Sequence, residues 1–169
     1  MDVRNARDED VARLTEIYNY YVINTHVTFD IVPSSIEQRR EWLSHYASTG
    51  PHRVLVAAED GRVQAYASSS PFRPRAAYAT SIETSVYCDP SATGRGIGKL
   101  LYERLFEAIE GEDVHRAYAG VALPNDASVA LHERFGFTHI GTYTEVGRKL
   151  DRYWDVAWYE KQVSQLPAK

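Results

Sequence analysis

The chain has 169 residues, of which 44% are hydrophobic and 25% charged, which predicts one soluble domain over residues 1–169 with a sizeable core. The formal net charge is −4 and no block of lysine or arginine occurs, which argues against nucleic acid as a partner. Because Cys88 is the only cysteine, we expect no intrachain disulfide and no metal. Because no apolar signal core or membrane-length apolar run occurs, we expect no membrane partner and a cytoplasmic location.

The first part of the chain predicts one strand and two helices. Residues 3–6 are typical of a short strand, and the acidic run over residues 8–10 marks the start of a helix. Apolar residues then recur at helical spacing, namely Val11, Leu14, Ile17, Tyr18 and Tyr21. Residues 33–35 open a second helix, which the dipeptide Gly50-Pro51 ends.

The middle of the chain predicts three strands. Residues 53–59 are apolar and rich in valine, and the dipeptide Asp60-Gly61 after them is a strong hairpin signal. Along residues 63–68, apolar side chains at positions 63, 65 and 67 alternate with polar side chains at positions 64, 66 and 68, which predicts a half-buried strand. A proline-flanked connection over residues 71–77 then leads into a strand over residues 78–88.

The second half of the chain starts at a glycine-rich segment, residues 91–99. The remaining elements are a helix from this segment to Gly111, a strand over residues 116–123, a helix capped by Asn125-Asp126 and running to about Arg134, and strands over residues 137–146 and 151–160. The resulting order is β-α-α-β-β-β-α-β-α-β-β. This order predicts an α/β fold with a mixed sheet.

Three glycines, Gly94, Gly96 and Gly98, stand immediately before the third predicted helix. Glycine lets the backbone approach a ligand closely, and a helix N-terminus offers unpaired N–H groups to a phosphate. The segment therefore predicts a phosphorylated cofactor. It does not match a Walker loop, because Leu100 follows Lys99 where serine or threonine is required. Its G-x-G-x-G spacing and its place past the midpoint of the chain also disagree with a dinucleotide fingerprint.

The segment Thr93-Gly-Arg-Gly-Ile-Gly98 resembles the [QR]-x-x-G-x-[GA] loop of the GNAT superfamily, the acetyl-CoA-dependent N-acetyltransferases. The resemblance implies a mixed, mostly antiparallel central sheet with helices on both faces, and acetyl-CoA as the co-substrate. It also implies that the CoA pyrophosphate is bound, mainly by backbone N–H groups, at Thr93, Gly94, Arg95, Gly96, Ile97, Gly98 and Lys99. Thr93 departs from the family's glutamine or arginine, and Arg95 is a candidate to supply the positive charge instead.

Further segments resemble the phosphinothricin and methionine sulfoximine N-acetyltransferase branch of that superfamily. They are Pro71-Phe-Arg-Pro-Arg-Ala-Ala-Tyr78, Ser85-Val-Tyr-Cys-Asp-Pro90, Leu123-Pro-Asn-Asp-Ala-Ser128, Leu131-His-Glu133 and Tyr153-Trp-Asp-Val156. The resemblance covers essentially the whole chain. It implies transfer of an acetyl group to the amine of a small glutamate-like amino acid, and it implies a homodimer, because the family is commonly homodimeric.

Direct N-acetylation in a ternary complex requires a base for the attacking amine, stabilisation of the tetrahedral oxyanion and a proton for the departing thiolate. Glu83 is the candidate base, because it lies within an apolar strand just upstream of the glycine loop. By resemblance, its family counterpart acts as the base, directly or through water. The alternatives for Glu83 are a solvated strand face and a structural pair with an arginine.

Asn125, Ser128 and His132 are spaced to share one face of their predicted helix, with Ala127, Ala130 and Leu131 facing the other way. A polar face opposite an apolar one is also typical of an ordinary surface helix, so a helix cap at Asn125 and a surface histidine at 132 are the alternatives. By resemblance, Asn125 and Ser128 belong to the cofactor site. The resemblance also places His132 near the reaction centre as an acid or proton relay.

The strand before the glycine loop ends with Val86, Tyr87 and Cys88. By resemblance, backbone groups at these positions hold the pantetheine amides and the thioester oxygen. For the Tyr87 side chain the alternative is core packing. An acyl-cysteine at Cys88 is a second chemical possibility, but no histidine adjoins it in sequence, which favours a small buried hydrophobic residue.

Arg73 and Arg75 flank Pro74, which favours an extended backbone that projects both side chains to similar sides. Two guanidinium groups suit a carboxylate or phosphinate, and the resemblance places the substrate's acidic groups at these positions. Phe29 and Tyr78 are candidate walls of the same substrate pocket. A solvated basic loop and structural aromatic residues are the alternatives.

Aromatic side chains occupy both faces of the last predicted strand, at Tyr153, Trp154, Trp158 and Tyr159, which favours a strand buried on both sides or at an interface. Two other functions remain open at this point. One is acetylation of a different small amine. The other is a CoA-binding sensor without catalysis, although a sensor has no need of Glu83 and His132.

Overall fold

The computed structural model describes residues 1–164 of the chain. The elements are β1 (Asp2–Asn5), α1 (Val11–Asn24), α2 (Ile36–Ser44), β2 (Arg53–Glu59), β3 (Arg62–Pro71), β4 (Ser81–Cys88), α3 (Ile97–Ala108), β5 (Arg116–Ala122), α4 (Asp126–Arg134), β6 (Thr138–Lys149) and β7 (Arg152–Gln162). The predicted order is confirmed. No helix among these residues is long and apolar enough to cross a membrane.

The seven strands form one sheet in the order β1-β2-β3-β4-β5-β7-β6, and only the β4–β5 pair is parallel. Helix α1 packs on one face, where Leu14 and Ile17 contact apolar side chains of β2 and β3. Helix α3 packs on the other face, where Leu101 and Leu105 are fully buried. The prediction of a mixed, mostly antiparallel sheet with helices on both faces is therefore confirmed.

Strand β3 is buried on both faces, so the prediction of a half-buried strand is wrong. Ala65, Tyr66 and Ser68 are all almost inaccessible, although they point to alternate sides of the sheet. The physical reason is that β3 is an inner strand covered by α1 on one face and α3 on the other. The prediction for residues 78–88 also needs correction, because residues Ala76–Tyr78 form a 3₁₀ turn and the strand begins only at Ser81.

Strands β4 and β5 separate after a short parallel ladder. Their pairing covers Ser81–Glu83 of β4 and Arg116–Tyr118 of β5. Beyond this point β4 continues along β3 to Cys88, while β5 continues along β7 to Ala122. The two strands thus leave a fork in the sheet whose closed end is the pair Glu83 and Tyr118.

Candidate functional site

A cavity of about 510 Å³ opens at this fork and extends to the N-terminal end of α3. Twelve of the residues predicted to bind cofactor or to act in catalysis line it: Val86, Tyr87, Cys88, Thr93, Gly94, Gly96, Ile97, Gly98, Lys99, Asn125, Ser128 and His132. We refer to this cavity as the cofactor cleft. The lining does not include Arg95, Glu83 or the four predicted substrate residues Phe29, Arg73, Arg75 and Tyr78.

The glycine loop turns sharply into α3 at two glycines with left-handed backbone. The φ angles of Gly94 and Gly96 are 76° and 77°, and Gly96 is the N-cap of the helix. An L side chain is strained in this region, which explains glycine at both positions. No side chain caps the helix at Gly96, so the first N–H groups of α3 are available to an anion in the cleft.

Arg95 forms an ion pair with Glu59 at the end of β2, in which the single nitrogen Nη2 donates to both carboxylate oxygens, at 2.8 and 2.9 Å. Lys99 is paired with Glu103 one turn later, at 3.2 Å. The Thr93 hydroxyl donates to the carbonyl of Pro90 at 3.1 Å. These side chains are therefore paired with other groups of the protein, which leaves the backbone N–H groups at the start of α3 as the loop's candidate contacts to an anion.

Asn125 caps α4, because its side-chain oxygen accepts the backbone N–H of Ser128 at 3.2 Å. The same residue lines the cofactor cleft, so the cap and a ligand contact are compatible. Ala127, Ala130 and Leu131 also line the cleft. The prediction that these apolar residues face away from Asn125 and Ser128 is therefore wrong, because residues of both sets line the same cavity.

His132 is buried, with 3% of its surface exposed, so the alternative of a surface histidine is wrong. Its Nδ1 lies 2.7 Å from the carbonyl oxygen of Ser128, and its Nε2 lies 2.9 Å from the hydroxyl of Tyr102. A carbonyl oxygen only accepts, so Nδ1 carries the proton in the neutral ring and Nε2 accepts from Tyr102. Burial lowers the pKa of His132 and the hydrogen bond to Ser128 raises it by less, which favours this neutral ring near pH 7.

Glu83 lies at the closed end of the fork, in the last pair of the β4–β5 ladder. Its neighbour Thr84 approaches Tyr102 of α3, so strand alternation places Glu83 on the opposite face of the sheet. Glu83 has no ion-pair partner within 4.0 Å among residues 1–164. Burial raises the pKa of its carboxyl, and the positive charge of Arg73 offsets part of the rise.

The Tyr87 side chain packs in a cluster of tyrosines, with ring centroids 5.2 Å from Tyr18, 5.5 Å from Tyr21 and 5.5 Å from Tyr66. This agrees with core packing for the side chain, while the residue still lines the cleft. Burial raises the pKa of the Cys88 thiol, which opposes the thiolate that an acyl-cysteine requires. Cys88 packs against the buried apolar cluster under α3, in agreement with a small hydrophobic role.

The predicted substrate residues lie on two different segments. The guanidinium of Arg73 lies 4.4 Å from the ring centre of Phe72, and Tyr78 meets the same ring edge-on at 5.8 Å. Arg75 is exposed in the connection between β3 and β4. Phe29 comes from the segment after α1 and lies against β6.

Several cleft residues were not predicted from sequence. Tyr21 and Val27 reach the cleft from α1 and the segment after it, and Arg134 reaches it from the last turn of α4. Gly120 of β5 was also missed, although a glycine inside a strand signals close approach of another group. A Cβ on Gly120 would lie 3.2 Å from the Trp158 ring, so glycine leaves room for that side chain.

Comparison with known proteins agrees with the fold. Residues 3–158 match the acetyltransferase (GNAT) domain family. The chain is 56% identical to a phosphinothricin N-acetyltransferase of Streptomyces coelicolor over 163 residues, covering 95% of each protein. It is 32% identical to an L-methionine sulfoximine/L-methionine sulfone acetyltransferase of Salmonella typhimurium, covering 99% of this chain and 98% of the relative.

Among solved structures, a putative acetyltransferase from Salmonella typhimurium, determined with its cofactor acetyl-CoA, superposes with a TM-score of 0.94 at 32% identity, covering 100% of this chain and 97% of the other. The chain therefore belongs to the GNAT acetyltransferase family. It is an acyltransferase, and the reaction of this class is acetyl-CoA-dependent N-acetylation.

Proposed function

We propose that the protein acetylates the α-amine of a small glutamate-like amino acid of the phosphinothricin or methionine sulfoximine class. The observation that carries the proposal is the position of Glu83 at the closed end of the β4–β5 fork, with the cofactor cleft opening beyond it. Arg73 and Arg75 support an acidic acceptor, because guanidinium groups bind carboxylate and phosphinate oxygens strongly. The names of the relatives support the same acceptor class.

The cofactor cleft fits acetyl-CoA in the chemistry of its lining. Free N–H groups at the start of α3 suit the pyrophosphate, and the unpaired edge of β4 over Val86, Tyr87 and Cys88 offers backbone groups to the pantetheine amides. Asn125 and Ser128, at the start of α4, also line the cleft. Acetyl-CoA supplies the activated acyl group.

In the proposed reaction Glu83 takes the proton from the acceptor's ammonium, directly or through one water, so that a neutral amine attacks. The positive charge of Arg73 favours the ionised form of Glu83 and so opposes the effect of burial, which raises the pKa of that carboxyl. The departing thiolate takes the second proton, which the attacking nitrogen loses as the amide forms. His132 is proposed as a relay for that proton at the thiolate end of the cleft, where its neutral ring is held by the Ser128 carbonyl and the Tyr102 hydroxyl. Phe29 and Tyr78 are proposed as aromatic walls around the acceptor.

We also propose a homodimer that uses the surface of the β6–β7 hairpin. This edge of the sheet exposes large apolar side chains, including Ile140, Tyr143, Val146 and Tyr153, each more than half accessible. An exposed apolar edge strand is otherwise an aggregation hazard. Light scattering that gave the mass of one 19.2 kDa chain would contradict the dimer.

The function is tested by measuring thiol release from acetyl-CoA with phosphinothricin, methionine sulfoximine, methionine sulfone and ordinary amino acids as acceptors. We expect turnover with the first three and much less with the ordinary amino acids. Turnover confined to an unrelated amine would instead support a different small acceptor. Tight binding of acetyl-CoA without thiol release for any amine would favour a sensor.

Arg75→Ala is expected to raise KM about tenfold for acidic acceptors, because a hydrogen bond to a charged group contributes about 1.5 kcal/mol or more. The steady-state KM for each acceptor checks this result. Arg104→Ala is the matched control, since Arg104 is an exposed arginine of α3 that pairs with Glu107. An equal loss with neutral amines would contradict an anion-binding role for Arg75.

The pH dependence of kcat/KM is expected to show an acid limb from Glu83. The carboxylate is the active form, so activity is present above the pKa of Glu83 and is lost as the pH falls through it. Arg73 lowers that pKa, so Arg73→Gln should move the limb to higher pH. The measurement is the pH at which kcat/KM falls, rather than the absolute rate. If Arg73→Gln left that pH unchanged, the effect of Arg73 on the pKa of Glu83 would be contradicted.

A further inference from the structure

Gly147 of β6 lies directly beneath the ring of Phe29. A Cβ at this position would lie 2.2, 2.6 and 2.7 Å from three carbons of that ring. Atoms cannot approach this closely, so any other residue at position 147 must displace the ring. Glycine at this position therefore allows the Phe29 ring to lie against the strand.

The backbone on either side of Phe29 is fixed to the same part of the sheet. Two residues after Gly147, the Nζ of Lys149 donates to the carbonyl of Thr28 at 2.7 Å and to the carbonyl of Tyr21 at 3.3 Å. Lys149 is 6% exposed, and no carboxylate lies within 4.0 Å of its ammonium among the described residues. A buried ammonium paired with two carbonyls holds the end of β6 against the segment that carries Phe29.

A second attachment holds the beginning of that segment. The His26 ring stacks on Trp154 of β7 with centroids 4.0 Å apart and planes at 9°. Its Nε2 lies 2.9 Å from the carbonyl of Pro124, next to the α4 cap at Asn125. Between these two attachments Val27 lines the cofactor cleft, whereas Phe29 does not.

We propose that Gly147 is a positioning residue for the acceptor substrate. By leaving room for the Phe29 ring, it sets where the aromatic wall of the acceptor site stands, while Lys149 fixes the backbone beside it. This inference rests on the proposed function. The effect is expected on acceptor binding, because the proposed function puts Phe29 in the wall of the acceptor site, and not on acetyl-CoA binding, because Phe29 is outside the lining of the cofactor cleft.

The test compares two glycine-to-alanine variants in the same strand. Gly147→Ala forces the Phe29 ring aside and is expected to raise the acceptor KM about tenfold or more, since small displacements of positioning groups are costly. The KM for acetyl-CoA should stay within about twofold. Gly141→Ala is the matched control, because a Cβ there meets no atom within 4 Å among the described residues. Equal acceptor KM values for the two variants would overturn the proposal.

A double-mutant cycle with Phe29→Ala separates positioning from general disturbance of the strand. If Gly147 acts only through Phe29, adding Gly147→Ala to Phe29→Ala should change the acceptor KM by less than about twofold. If Gly147→Ala raised the acceptor KM as much in the Phe29→Ala background as it does in the wild type, the proposal would be overturned. The Gly147 Hα resonances report the contact without any substrate, since the ring should shift them and Phe29→Ala should remove the shift.

These readouts also distinguish the inference from the proposed function. If the wild-type protein turns over no amino acid although the Phe29 ring shifts the Gly147 Hα resonances, the proposed function fails. The role of this contact in acceptor binding then fails with it. If the wild type is active and Gly147→Ala matches Gly141→Ala, only the inference fails.

Discussion

Replacement of Glu83 by glutamine is expected to lower kcat by about 10²- to 10⁴-fold, the usual contribution of a general base. The carboxamide has nearly the same shape but cannot accept the proton of the acceptor's ammonium. Glu83 has no ion-pair partner within 4.0 Å among residues 1–164, so the change breaks no close salt bridge. The affinity for acetyl-CoA should therefore stay within about twofold, which calorimetric titration can measure beside steady-state kcat.

Glu160→Gln is the matched control for this prediction. Tyr118 is the cross-strand partner of both Glu83 and Glu160, so the two glutamates occupy equivalent positions on either side of β5. Only Glu83 lies where the sheet forks, and Glu160 instead approaches Arg116 at 3.7 Å. An unchanged kcat in Glu83→Gln, or an equal loss in Glu160→Gln, would remove Glu83 from the role of base.

Glu83→Gln can also be measured with an acceptor whose attacking nitrogen is less basic. An α-hydrazino acid has a less basic attacking nitrogen, so more of it is neutral at pH 7 and less proton removal is needed. The deficit of Glu83→Gln should shrink with this acceptor if proton transfer is what the carboxylate supplies. A deficit of the same size with both acceptors would indicate that Glu83 binds or orients the acceptor instead.

Local signals were sufficient to predict the order of elements. The dipeptide Asp60-Gly61 predicted a hairpin, and the structure gives φ angles of 50° and 78° there, as a two-residue turn between antiparallel strands requires. The glycine loop was identified for a similar reason, because its conformation depends on Gly94 and Gly96 themselves. Such features follow from a few neighbouring residues, so sequence carries them directly.

Long-range pairing could not be read from those signals. The fork depends on β5 leaving β4 to follow β7, whose residues come about forty positions later in the chain. The burial of His132 likewise depends on Tyr102 of α3, which no spacing within α4 reveals. The contact between Phe29 and Gly147 spans more than one hundred residues, so each residue looked unremarkable on its own. Predictions failed where tertiary contacts decide the environment of a side chain.

Substitution of Gly98 is the second change expected to have a large effect, because Gly98 belongs to α3 and also lines the cofactor cleft. It is the second residue of α3, and a Cβ there would lie 3.6 Å from Leu131 and 3.8 Å from Val86. These are ordinary contact distances, so the fold accepts a side chain. Leu131, Val86 and Gly98 all line the cleft, so added atoms take space from the ligand. Gly98→Val is expected to weaken acetyl-CoA binding by about 10- to 200-fold.

Stability and binding should therefore change in different directions along a graded series at this position. Gly98→Ala removes conformational freedom from the unfolded chain and is expected to stabilise the fold by up to about 1 kcal/mol. The same methyl group should already weaken acetyl-CoA binding, and valine should weaken it further. Thermal unfolding and calorimetric titration of the two variants measure the two quantities separately. If the affinity for acetyl-CoA fell only in proportion to a loss of stability, Gly98 would be a structural residue of α3. Weaker binding by a protein at least as stable as the wild type would instead assign the space beside Gly98 to the cofactor.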